Sequence, residues 1–537
     1  MCSSLGGSGA TSIRNTIILH KAKSAVKEFE KVTEHPMESQ EDFIVTLART
    51  NRGTLFGKQH KFEKIRSIDD YQRLVPVHNY DALMKYMNLI MKGERDILFP
   101  GAPTWWAKTS GTTSKPKLIP IPRNMTAYLS SVGARLLYSF IMEEPKKNLG
   151  TLLGKLLFLR APSRVQYVNG IPVGYISGIS GETQSRFAER MVVPSRETSA
   201  LGDWEEKFYR TALETLNENV TMIAGVTPLL MSMFQRMAYD YPERLLRDSK
   251  SSETIRRIKH VLRKNDGILR PAGCWEDLRL FCSSGASIKP YISRYRDLFA
   301  DTPIREAYGA TEGQFGQQVQ EKEGLLLNWD KYLFEFMPFY EGSGDQSSED
   351  RLLVSELKVG GSYEVLVTTP SGLYSYRIGD VLRLEQNSPP AFTLVGRTRM
   401  TLNLFGEKVC EEHISTAVKA AEEITSAAVA EYSCMAVASE GSTKSPRYVL
   451  CVEFIKSPRD KQKFIDAWDR KLQEIAPAYG CFRANNAMIK PPAIVRVMRG
   501  AFQEFELKRM RTTPAMGQLK PLHICGGGEL AELRFAT

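Results

Sequence analysis

The chain has 537 residues, 42% hydrophobic and 25% charged, the profile of a water-soluble globular protein large enough for two or more domains. No run of about 18 apolar residues occurs, which argues against a helical membrane span. The formal net charge of +11 suits a surface that attracts anionic substrates.

Met1 to Thr11 is rich in Ser and Gly and lacks the basic and apolar regions of a secretory signal, so it reads as a flexible tail. The eight cysteines are scattered, with no C-x-x-C pair, as expected of free thiols in a reducing cytoplasm. The seven histidines form no ligand cluster, and neither a G-x-S-x-G nor an H-E-x-x-H pattern is present. A cytoplasmic monomer without nucleic-acid or membrane partners is expected.

In chain order, residues 12–33 read as an amphipathic helix closed by Pro36, with Ser39 as the N-cap of a second that Gly53 stops. A helix follows from Tyr80 to Met91. Next comes Lys108-Thr-Ser-Gly-Thr-Thr-Ser-Lys-Pro-Lys117. Four hydroxyl residues around one glycine, followed by two lysines flanking a proline, can offer backbone N–H groups, hydroxyls and ammonium groups to a polyphosphate. The spacing is not that of a Walker P-loop. A helix from Asn124 to Ile141 would add the positive end of its dipole.

Residues 151–330 alternate short apolar runs with helical patterns. Strands are predicted at Leu156–Leu159, Met222–Val226, Leu278–Cys282 and Pro303–Ala307. Helices are predicted at Trp204–Asn217, Pro228–Tyr239 and 289–299. Polar residues gather after the strands, at Ser283–Ser287 and Tyr308–Gly313, the pattern of an open parallel α/β sheet with ligands beyond its C-terminal strand ends. The helix Glu253–Asn265 carries Arg256, Arg257, Lys259, Arg263 and Lys264 on its polar face. With no aromatic residues interleaved, this reads as a solvated face rather than a nucleic-acid patch. Tyr363–Thr369 and Leu373–Tyr376 read as a hairpin around Pro370-Ser-Gly372, running into Tyr376-Arg-Ile-Gly-Asp380. After Gly396-Arg397 the composition changes. The remainder reads as a small α+β unit with a helix near 411–423, strands at 427–437, 447–455 and Ile494–Met498, and a helix capped by Ser457 and Pro458.

Three pieces in order, Thr109-Ser-Gly-Thr-Thr-Ser-Lys-Pro-Lys117, Tyr308-Gly-Ala-Thr-Glu312 and Tyr376-Arg-Ile-Gly-Asp380, resemble the adenylate-forming enzyme superfamily. The run from Asn51 to Glu94, with Gly57-Lys58, His60, Phe62, Val75-Pro-Val77 and Gly93-Glu94, narrows this. It is similar to the acyl acid amido synthetase family, whose plant members conjugate auxin and jasmonate to amino acids. Ala310-Thr311 departs from the Ser-Ser of the plant enzymes, and Ser114 stands where the superfamily has glycine.

The resemblance implies an α/β fold. A large N-terminal domain, 1–396, would bind ATP and the acyl substrate with parallel α/β sheets plus a β-barrel-like region. A small mobile α+β C-terminal domain, 397–537, would follow. It implies an ATP-dependent ligase that makes an acyl-adenylate and pyrophosphate from a small carboxylic acid. The acyl group then passes to an amino acid amine, with release of AMP. A ligase forming a coenzyme A thioester is the alternative enzyme, and a non-catalytic nucleotide-binding protein the alternative of another class. Ser110, Gly111, Thr112, Thr113 and Lys117, with Thr109, would face the pyrophosphate. Glu312 and Thr112 would hold Mg²⁺. Asp380 would accept from the ribose diol, and Tyr308, with Gly309 and Thr311, would lie against the adenine, its edge lined by Ser284, Gly285 and Ala286. Lys408 and Lys520 compete for the transition-state cation, and Arg397 resembles a hinge-flanking arginine.

Overall fold

Two long helices, Gly7–Glu34 and Pro36–Asn51, begin the computed structural model. It describes residues 7–109, 117–123, 125–184, 186–321, 324–339, 350–398, 401, 402, 404, 409–437, 446–483, 489–512 and 523–525. The expected tail is thus already helical from Gly7. Pro36 opens the second helix instead of closing the first, because its missing N–H falls where a helix start leaves donors unpaired. Ser39 is therefore inside that helix, and His35 holds the N-cap place. Phe29, Val32, Ile44 and Leu47 bury the two helices in the largest of the N-terminal cores.

The strands of the N-terminal region are β1 (Trp105–Lys108), β2 (Leu118–Ile121), β3 (Lys155–Leu159), β4 (Gln166–Val168), β5 (Ile171–Gly174), β6 (Val192–Val193), β7 (Val220–Val226) and β8 (Leu280–Ser284). They continue with β9 (Ile304–Ala310), β10 (Gly313–Gln317), β11 (Leu325–Leu327), β12 (Leu333–Pro338), β13 (Ser362–Thr368), β14 (Tyr376–Asn387) and β15 (Pro390–Arg397). β6-β3-β7-β8-β9 run parallel, joined by crossover helices that include Trp204–Thr215, Thr227–Tyr239 and Ile292–Phe299. From β9 the same sheet continues antiparallel through β10-β11-β15-β14-β13-β12, eleven strands in all. The antiparallel strands thus extend the parallel sheet. A second sheet is ordered β2-β1-β5-β4, and the first motif falls between the antiparallel β1 and β2 in the chain.

Two local expectations change. The loop foreseen after Ala307 is strand as far as Ala310. Gly313 pairs back onto Ala310, which leaves Thr311 and Glu312 as a two-residue turn. The hairpin foreseen around Pro370–Gly372 has a longer connection, because β14 starts only at Tyr376. Gly372, at φ +82°, makes the turn there.

The C-terminal region holds β16 (Thr401–Leu402), β17 (Val409–Cys410), β18 (Ala428–Val437), β19 (Arg447–Lys456), β20 (Lys490–Arg496) and β21 (Ile524–Cys525). The last four form one sheet, ordered β20-β19-β18-β21. Helices Glu411–Thr425 and Lys461–Ile475 close a separate core around Ile414, Tyr432, Phe464 and Trp468. Asp460 caps the second helix, accepting from the amides of Gln462 and Lys463, so the cap lies past the expected Ser457 and Pro458. Six described cysteines are free thiols. No described helix is long and apolar enough to cross a membrane.

The C-terminal region leans on the N-terminal one through charged contacts. Glu412 accepts from Arg383 (3.0 and 3.1 Å) and from Lys289 (3.3 Å). Glu431 lies 3.6 Å from Arg294. Behind Glu431 sits His523, 2% exposed, with Nδ1 2.6 Å from Glu411 and Nε2 3.0 Å from Glu431. Both ring nitrogens face carboxylates, so both donate and the ring is an imidazolium. Burial pulls its pKa down, but the two carboxylates more than offset this and raise it to about 10. That stabilisation is complete below pH 6.5, the ordinary histidine value, and is lost as pH rises through about 10. His523→Gln is expected to destabilise the C-terminal region by about 3 kcal/mol at pH 6, with the deficit closing toward pH 10 in urea titrations.

Lys207 in the N-terminal region has the opposite sign. It is fully buried, with Nζ 4.4 Å from the Trp204 ring centroid and 3.5 Å from the Arg160 carbonyl. Burial, and then the Arg160 guanidinium, push its pKa down to about 7. Below that pH the amine is charged both folded and unfolded, so the full burial cost is present. Between pH 7 and 10.5 only the unfolded chain binds the proton, so stability rises. Lys207→Met is expected to be more stable than the parent by ~1–4 kcal/mol at pH 6, with the gap shrinking toward pH 10.

Candidate functional site

The three motifs converge where the large sheet turns from parallel to antiparallel. Tyr308 lies near the C-terminal end of β9, with Thr311 and Glu312 in the turn that follows. β14 begins with Tyr376 and carries Asp380, which pairs across the ladder with Arg397 at the end of β15. The Tyr308 hydroxyl donates to Asp380 Oδ2 (3.0 Å), and Arg397 Nε lies 2.8 Å from Oδ1. Lys117, at the root of the loop, donates from Nζ to the Tyr376 hydroxyl at 3.0 Å. Tyr376–Asp380 therefore touches the first motif at one end and the second at the other.

Glu312 is 7% exposed. Burial raises its carboxyl above the usual range. Arg397 and, more weakly, Lys117 pull it back, while Asp380 opposes them. A buried carboxylate facing two cations and a second carboxylate can take a hard cation or a proton. Asp380, in turn, holds the Arg397 guanidinium above its usual pKa. Burial, then Asp380, push the Tyr308 hydroxyl well above pH 10, so it stays a donor.

A cavity of about 390 Å³ opens beside this cluster. Gly285, Ala286, Tyr308, Gly309 and Asp380 line it, joined by Ser287, Lys289, Glu306, Gln318 and the 391–394 edge of β15. Gly285 takes φ +72°, which lets the chain turn tightly out of β8. Ser284 is aimed away, its hydroxyl donating to the Gly225 carbonyl (2.8 Å). A wider groove of about 830 Å³ runs along the two N-terminal helices, and no described residue of the three motifs lines it.

The expected site residues thus divide. Thr109, Lys117, Gly285, Ala286, Tyr308, Gly309, Thr311, Glu312, Asp380 and Arg397 are described and lie at or around the cluster, and Ser284 sits behind it. Ser110, Gly111, Thr112, Thr113, Lys408 and Lys520 lie outside the described residues. Several contributors carried no motif. Thr227 donates to the carbonyls of Ser284 and Ala286 (both 3.0 Å) and so fixes the wall of the cavity. Glu306 accepts from the Ile288 amide (2.8 Å), and Gln318 from the Glu306 amide (3.1 Å). The signal for Thr227 was a threonine before the proline that opens a post-strand helix. Glu306 and Gln318 gave none.

Residues 25–264 match the GH3 family N-terminal domain, 325–397 the GH3 family central domain and 412–526 the GH3 family C-terminal domain. Among curated proteins, a "Probable indole-3-acetic acid-amido synthetase" of Oryza sativa subsp. japonica is 26% identical, with 90% of each chain covered. A "Jasmonoyl--L-amino acid synthetase" of Nicotiana attenuata is 24% identical over 75% of this chain and 76% of its own. Among solved structures, the "GH3.15 acyl acid amido synthetase" shares the fold with a TM-score of 0.78 at 19% identity, covering 96% of both chains.

Proposed function

The chain belongs to the GH3 family, and on that premise we propose that it is an ATP-dependent acyl acid amido synthetase. A carboxylate oxygen of a small acid attacks the α-phosphorus of ATP, the bond to the bridging oxygen breaks, and pyrophosphate leaves. The amine of an amino acid then attacks the acyl carbon, loses a proton, and AMP departs with the electron pair of the broken acyl–oxygen bond. The observation that carries this reading is the cluster of Tyr308, Glu312, Asp380 and Arg397 beside a cavity that Tyr308 and Asp380 line, with Lys117 tied to the same strand through Tyr376.

Asp380 accepts from the ribose diol. Its acceptor oxygens already meet one hydroxyl and one guanidinium, which is the donor chemistry a ribose would offer. Lys117 faces the phosphates that leave, with Thr109 closing the neck of its loop (2.9 and 3.0 Å). No group of three or more His, Cys, Asp or Glu side chains that could hold a metal occurs among the described residues. A buried carboxylate such as Glu312 fits Mg²⁺, which takes one or two protein carboxylates and completes its shell with substrate phosphates and water. Glu312 would be that ligand, with Thr112 as its hydroxyl partner, and Mg²⁺ held there would supply charge neutralisation to the departing pyrophosphate. Lys408 and Lys520 are the candidates for the cation beside the α-phosphate. We place the domain junction at Gly396–Arg397.

The test is carboxylate-dependent pyrophosphate release across an acid panel that includes indole-3-acetate and jasmonate, the acids in the relatives' names. Mass spectrometry with pooled amino acids and, separately, coenzyme A follows. An amide product is expected. A thioester, or ATP binding with no acid-dependent release, would overturn the proposal.

A further inference from the structure

Lys117 stands immediately before β2, and a residue outside the three motifs holds it there. Tyr80 is the first residue of the helix Tyr80–Met91, which Asn79 caps by accepting from the Ala82 amide (2.9 Å). Leu83, Tyr86, Met87 and Ile90 bury that helix in the main core, so its first residue is rigidly placed. The Tyr80 hydroxyl accepts from the Leu118 amide (2.9 Å) and donates to the Leu118 carbonyl (3.0 Å), pinning the residue next to Lys117 by both main-chain groups. The Tyr80 ring centroid lies 5.3 Å from Lys117 Nζ. On another side, the Tyr376 ring lies 5.6 Å away and its hydroxyl accepts at 3.0 Å. Two tyrosines from segments nearly 300 residues apart thus bracket one ammonium. Aromatic faces attract such a cation, and the bracket restricts a four-carbon stem that would otherwise sample many rotamers.

We propose that Tyr80 is a positioning residue for the nucleotide reaction. It anchors the root of the phosphate loop through Leu118 and, with Tyr376, aims the Lys117 ammonium at the ATP polyphosphate. This inference rests on the nucleotide reading of the site. Helix Tyr80–Met91 is then the rigid support of the Lys117 ammonium.

The experiment compares ATP and AMP affinities by titration calorimetry of the full chain with Mg²⁺, because AMP lacks the phosphates that Lys117 faces. Tyr80→Leu is expected to weaken ATP about tenfold, within the range of a cation–π contact plus a lost anchor, and to leave AMP within about twofold of the parent. Tyr80→Phe keeps the ring without the hydroxyl and is expected to fall between parent and Tyr80→Leu. The double variant Tyr80→Leu/Lys117→Ala is expected to bind ATP no more weakly than Lys117→Ala alone, since the tyrosine acts through the lysine. Equal losses for ATP and AMP, additive losses in the double variant, or parental ATP affinity in both Tyr80 variants while Lys117→Ala loses it would each overturn the inference and leave the nucleotide site standing. A parent chain that binds neither nucleotide would overturn both.

Discussion

Glu312→Gln is expected to lower acid-dependent pyrophosphate release by about 100- to 1,000-fold, the loss typical of removing one preorganised charge-stabilising group. The melting temperature should hardly move, because glutamine fills the same volume in the Thr311–Glu312 turn and removes a buried charge. Among the described residues no other side chain hydrogen-bonds this carboxylate; its surroundings act through the charges of Arg397, Asp380 and Lys117. The sign with pH follows from burial. The free carboxyl titrates above the ordinary glutamate value, so it ionises later than an exposed one. The acidic limb of kcat/KM should lie correspondingly high, and Glu312→Gln should remove that limb. An unchanged release rate in Glu312→Gln would sink the metal assignment.

Asp380→Asn should affect both nucleotide affinity and stability. Asp380 takes the Tyr308 hydroxyl on one oxygen and the Arg397 guanidinium on the other. The amide keeps one acceptor and loses the charge, leaving Arg397 with only the weaker pull of Glu312 from this cluster. Loss of about 1–3 kcal/mol of folding stability is expected, since the pair is partly exposed on the arginine side. ATP and AMP affinities should fall together by at least about tenfold, because both carry the ribose. Tyr308→Phe separates the effects: it removes one hydrogen bond and keeps the charge, so nucleotide binding should survive. Parental AMP affinity in Asp380→Asn would exclude the ribose role.

Most of the parallel half of the sheet was legible in the chain because its strands are short apolar runs between helices with clear stripes and caps. Leu156–Leu159 and the helix that starts at Trp204 after its Asp203 cap are examples. What local pattern could not reveal was continuity. Nothing in Tyr308–Gly313 shows that β9 folds straight back as β10, since only long-range pairing with β11 and the β14–β15 ladder makes that turn. Pro36 misled because proline both ends helices and starts them, and the choice depends on what the next turn buries. At the site, the residues with chemistry in short motifs were legible. Thr227 offered only a threonine before a helix-opening proline and Tyr80 offered no chemical pattern, because each acts through the backbone of a residue at or beside the site.

His523 and Lys207 lie in separate cores, and their proton linkages run in opposite directions over nearly the same alkaline range. If the two regions melt as one cooperative unit, the gain from one offsets the loss from the other and the unfolding midpoint stays nearly level from about pH 7 to 10. If they melt separately, one transition climbs with pH while the other descends, and the traces part. Two buried side chains with no place in the chemistry thus form a built-in gauge of cooperativity: the spread of the midpoints with pH measures how firmly the charged contacts of Glu412 and Glu431 couple one half of the molecule to the other.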